Sequence, residues 1–85
     1  MSKLQKAKNK LLNTNQVFTI QELDYLLKQL DYSEKMTGKT SGSRLAYIHS
    51  NTKHIIRLHK PHPGKELKKY MRQYVIDELK NQGLL

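Results

Sequence analysis

The chain contains no cysteine. That removes disulfides, thiolate catalysis and cysteine-ligated zinc together, and it fits a reducing cytosol. No run is long or apolar enough to span a membrane, so no membrane partner is expected. The opening stretch, MSKLQKAKNKLLNTNQ, is basic but lacks the apolar core of a signal peptide. Acidic residues are scarce: 7 Asp and Glu stand against 16 Lys and Arg, a formal charge of +9 with a pI near 9.9. An excess that large predicts attraction to polyanions or to an acidic protein partner. The plain alternative is a solvated basic surface. Five tyrosines and one phenylalanine are enough to seed a core, so the chain is not disordered by composition. Its 85 residues suit one small domain with a thin stability margin.

The pattern along the chain reads α, α, β, β, β, α. Leu4, Ala7, Leu11 and Leu12 fall near one face of a helix over 3–12, which Asn13-Thr14-Asn15 breaks. Thr19 and Glu22 have the spacing of a capping box, and Phe18 and Leu23 that of a hydrophobic staple. They open a helix over about 20–30 with a stripe of Ile20, Leu23, Leu26, Leu27 and Leu30. Residues 32–37 read as a poorly hydrophobic edge strand, and GKTSGS as a turn. Residues 44–49 and 54–59 alternate as strands around a Ser50-Asn51-Thr52 turn. If helices cover the face of Leu45, Tyr47, Ile56 and Leu58, then Arg44, Arg57 and His59 share the open one. Pro61 and Pro63 stiffen the next segment. A last helix is expected over about 65–81. Its buried stripe is Leu67, Met71, Tyr74, Val75 and Leu79; Lys65, Lys68, Lys69 and Arg72 form a basic stripe; Gly83 is the stop. The whole is a single α+β domain, a three-stranded antiparallel sheet with helices packed on one face.

Three chemistries can be set aside. Thr37-Gly38-Lys39-Thr40 has the end of a P-loop, but Ser33 stands where the first glycine belongs and a strand follows instead of a helix. His59 and His62 could ligate a metal, yet zinc wants three or four donors and no acid lies between His49 and Pro63. No metal or cofactor is therefore expected. The carboxylates fall on helices, interleaved with lysines, as capping groups and i,i+4 pairs such as Asp24 with Lys28.

Histidine among cations is the stronger constellation. All four histidines lie between 49 and 62, beside Arg44, Arg57 and Lys60 and ahead of Lys65, Lys68 and Lys69. A histidine titrates near about 6.5, so it can take a proton from a ribose 2′-hydroxyl or give one to a leaving 5′-oxygen. Arginine and lysine beside it can hold the phosphate and its developing charge. The segment LHKPHPGKELK, residues 58–68, reads as a phosphate-holding corner.

Further residues carry a family resemblance. Gly42-Ser43 heads a strand with Leu45 and Tyr47, and His49 precedes a turn. A second strand ends in His59, Pro63-Gly64-Lys65-Glu66-Leu67 follows, and a terminal helix closes on Asn81-Gln82-Gly83-Leu84. The chain resembles the HicA family of small toxins from bacterial toxin–antitoxin pairs, over residues 19–85 and most densely at 37–67; residues 1–15 form an N-terminal helical extension to that core. The resemblance implies a fold like double-stranded-RNA-binding domains, cleavage of messenger RNA in the cytoplasm, and silencing by an acidic HicB-type antitoxin. The family's catalytic histidine directly follows Gly-Ser; here that position is Arg44. Arginine stays protonated and cannot act as a general base, though it can clamp a phosphate. The acid–base role then passes to His59 or His62, with Lys39, Arg44, Arg57, Lys60, Lys65, Lys68 and Lys69 on the RNA backbone. Alternatively the chain cleaves slowly by electrostatics alone, only binds RNA, or serves as a basic interaction protein for an acidic partner.

Overall fold

Ser2 and Thr19 set where the first two helices begin. In the computed structural model, which describes residues 2–13, 15–35, 44–59 and 65–85 (Arg44 by its backbone only), α1 runs Lys3–Leu12 and the Ser2 hydroxyl accepts from the Gln5 amide. Helix α2 is Ile20–Gln29. Its capping box forms in both directions: the Glu22 amide donates to the Thr19 hydroxyl, and the Thr19 amide donates to the Glu22 carboxylate. Phe18 and Leu23, the staple pair, are both fully buried. Asp31 then leaves the helix with φ of +70°, a conformation short polar residues tolerate.

Three strands follow, β1 Tyr32–Lys35, β2 Arg44–His49 and β3 Ile55–His59. They form one antiparallel sheet in the order β1-β2-β3. Tyr32, Leu45, Tyr47, Ile56 and Leu58 point to the buried side and join the helices' apolar stripes in one core. Leu11 of α1 is fully buried in that same core. Ile48 and Ile55, opposite each other on the other face, are only partly buried. The expected element order and the one-sided helix packing are both found. Residues 36 and 37 of the expected first strand, the GKTSGS turn, and Pro61 and Pro63 lie outside the described residues.

The last helix, α3, corrects the expected start. It spans Lys69–Asn81, four residues later than the apolar stripe suggested. Residues 65–67 are extended and stitched to the entry of α2. The Ile20 amide donates to the Lys65 carbonyl at 2.8 Å, and the Leu67 amide to the Phe18 carbonyl at 2.9 Å, around a Thr19–Glu66 bridge. Those groups are paired across the fold, so the backbone has no reason to coil. The end is as expected. Gly83 has φ of +72°, its amide bonds back to the Lys80 carbonyl, and the Leu84 amide reaches the Leu79 carbonyl. That is the two-bond glycine stop of a helix.

Arg72 is the larger correction. It was expected on an exposed basic stripe, and it is 6% exposed. Its Nε donates to the Leu11 carbonyl at 2.9 Å, Nη1 to Gln16 at 2.6 Å, and Nη2 to Lys10 and Asn13 at 2.6 and 2.7 Å. The guanidinium lies 5.4 Å from the centre of the Phe18 ring. One fork thus satisfies carbonyls at the end of α1 and in the loop to α2, groups a helix end otherwise leaves without partners.

Candidate functional site

Strand register decides which predicted residues meet. Arg44 pairs with His59, and Ala46 with Arg57, across β2 and β3. Directly opposite positions on antiparallel strands lie about 4.5–5.5 Å apart and share a face. The alternation puts this set opposite the buried Leu45, Tyr47, Ile56 and Leu58, and Arg57 and His59 are exposed. Positions 44, 57 and 59 therefore gather at one end of the open face.

Lys35 belongs with them and was not singled out from the sequence. It pairs with Ala46, whose other neighbour is Arg57. Two exposed cations thus flank one small residue, with roughly 10 Å between the outer strands. The alternation of β1 would have found it: with Tyr32 buried, Ser33 and Lys35 fall on the open side.

The histidines divide by their partners. His49 is 8% exposed, and its Nδ1 accepts from the Asn51 and Thr52 amides at 3.1 and 3.3 Å. Nδ1 is an acceptor there, so a neutral ring carries its proton on Nε2. His54 bridges Tyr32 and Glu78, with its Nδ1 2.7 Å from the Tyr32 hydroxyl and its Nε2 3.3 Å from Glu78 Oε1. The carboxylate can only accept, so Nε2 donates and the neutral Nδ1 accepts from the phenol. The Tyr32 ring meets both imidazoles edge-on. These two histidines hold the β2–β3 turn and tie it to α3. His59, by contrast, is exposed and has no side-chain hydrogen bond among the described residues. His62, Lys39 and Lys60 lie outside them, as does the Arg44 side chain.

Lys65, Lys68 and Lys69 are all exposed, but only Lys69 is helical. Lys65 is held by the stitch to α2, and Lys68 is the residue that caps α3, in extended conformation. Behind the site, the Tyr74 hydroxyl accepts from the Arg57 amide at 3.3 Å on the outer edge of β3. The Tyr47 hydroxyl donates to Asp24 at 2.7 Å. Burial and the Asp24 carboxylate together push the Tyr47 phenol well above its ordinary value. Burial pushes the Asp24 carboxyl up, but the Tyr47 and Lys28 hydrogen bonds outweigh it and hold it below its ordinary value. Glu22 behaves alike, with Lys10 and Thr19 outweighing its burial. The acids on α2 are thus committed to structure. The open face and the stitched segment carry exposed cations, Lys35, Arg57, Lys65, Lys68 and Lys69, beside the exposed imidazole of His59.

Residues 20–84 match the model of the HicA toxin family of bacterial toxin–antitoxin systems. No curated protein and no solved structure is significantly similar to the chain.

Proposed function

This chain belongs to the HicA toxin family, and on that premise we propose that it is a toxin that cuts messenger RNA without a metal and is neutralised by an acidic HicB-type antitoxin. One observation carries the proposal: the register that sets Arg44 opposite His59, with Arg57 on the same exposed face. Arginine fits a scissile phosphate by its planar fork and permanent charge. His59 takes the proton from the ribose 2′-hydroxyl, or gives one to the 5′-oxygen. The 2′-oxygen bonds to phosphorus and the phosphorus–5′-oxygen bond breaks. His62, just ahead of the stitched segment that begins at Lys65, is the alternative donor. Lys39, Lys60, Lys65, Lys68 and Lys69 hold the flanking phosphates. The +9 charge suits both RNA and an acidic antitoxin.

Arg44 favours a second reading, since it stands where the family's catalytic histidine is expected. A chain whose histidines do no proton transfer would bind RNA and leave it whole. Induced expression separates the two. Growth arrest that His59→Ala and Arg44→Ala each relieve, and that a co-expressed acidic antitoxin suppresses, supports the nuclease. Arrest unaffected by His59→Ala removes His59 from the mechanism.

A further inference from the structure

Building on that RNA reading, we propose that the groove between the α1–α2 loop and the start of α3 is a stacking subsite for an unpaired nucleotide of the bound RNA, with Tyr70 as its platform. The groove holds about 730 Å³, and Val17, Lys68, Lys69, Tyr70 and Gln73 are among the residues that line it. That volume lies within the range of small-molecule sites. Tyr70 is 66% exposed and Val17 52% exposed. Together they give one groove an exposed aromatic face and an exposed apolar side chain.

Charge selects the occupant. Lys68 and Lys69 border the ring, and Lys65 is three residues further back on the stitched strand. Single-stranded nucleic acid is recognised by this combination, cations along the backbone and an aromatic face for the base. Among the described residues Glu66 is the sole acid lining the groove, so the local balance matches a polyanion.

The groove is also built in advance. Arg72 pins the Asn13 and Gln16 carbonyls, and the Thr19–Glu66 bridge fixes the wall that precedes Lys68. Arg72 lines the groove, but its fork is spent on carbonyls, so Lys68 and Lys69 remain for phosphates. A rigid wall lets a base stack without an ordering cost. From His59 to Lys68, a lining residue of the groove, the chain can reach at most about 32 Å, which limits how far along the RNA a nucleotide in the groove can lie from the bond being cut.

The test is binding of a 2′-O-methyl oligonucleotide, which lacks the attacking hydroxyl, in single-stranded form and as a duplex. Tyr70→Ala should weaken the single strand roughly 5- to 150-fold, the range for losing one stacked base. Tyr70→Phe should keep the affinity, and the duplex should be unaffected by either change. Single-strand affinity unchanged in Tyr70→Ala but lost in a Lys65→Ala/Lys68→Ala/Lys69→Ala variant overturns the subsite and leaves the RNA reading standing. No RNA binding by the parent chain overturns both. Unchanged RNA affinity with a weakened antitoxin complex assigns the groove to the protein partner and also overturns the subsite.

Discussion

Arg72 and Arg57 are the same residue type on the same small domain, and they do opposite things. Arg72 has four carbonyls for partners and is nearly inaccessible. Arg57 stands exposed on the open face, held among the described residues through its backbone. The histidines repeat the contrast, with His49 and His54 occupied and His59 exposed. The junction of α1 and α2 takes up the charges of Arg72 and Lys10. The open face leaves Lys35 and Arg57 exposed. Total charge therefore overstates the binding surface, and the partners of each cation decide which part of it can meet RNA.

The contrast breaks hardest at Arg72. Arg72→Met should cost about 3 kcal/mol or more, because four carbonyls, Leu11's buried and the others partly so, lose a charged donor together. For a domain of this size that lowers Tm by at least about 12 °C, measured by thermal unfolding. Arg72→Lys should rescue little, since one ammonium cannot match the fork. Replacing Lys65, Lys68 and Lys69 with Ala should do the reverse, with Tm nearly unchanged and RNA affinity reduced. The slope of log affinity against log salt should flatten by about 2, at about 0.7 for each lost single-strand contact.

Acid tests the committed side again. The Glu22 and Asp24 carboxyls titrate below their ordinary values of 4.5 and 3.8. Their contribution to stability is present above those values and is lost as pH falls through the lower folded ones. Tm should decline below about pH 4.5, and less steeply in Asp24→Asn, where one of these carboxyls is gone. The smallest effect belongs to Lys53, which sits at φ of +62° in the β2–β3 turn. Lys53→Gly should raise stability by no more than about 1 kcal/mol, relieving left-handed strain.

Local signals made much of the fold legible. Thr19 and Glu22 announced α2, alternation announced β2 and β3, and Gly83 announced the end of α3. What failed was non-local. Residues 65–67 have helical spacing, yet their backbone pairs with Phe18 and Ile20, far away in sequence. Arg72 was read by its charge, but its spacing held a warning. With Val75, Ile76 and Leu79 it completes an i, i+3, i+4, i+7 stripe, and all four are buried. His54 carried no such signal, because its partners Tyr32 and Glu78 come from different elements. For the candidate site, the alternation put Arg44, Arg57 and His59 on one face, and the same alternation in β1 puts Lys35 there once Tyr32 is placed in the core.

The central claim is that His59, and not the occupied His49 or His54, does the chemistry. The direct measurement is cleavage of a defined RNA by purified protein in chelator, with the new 3′ ends read by mass spectrometry. The account predicts 2′,3′-cyclic phosphate ends from the parent, a loss of about 10²- to 10⁴-fold in rate for His59→Ala, and a rate close to the parent's for His54→Ala despite a lower Tm. Equal cleavage by the parent and His59→Ala would contradict it.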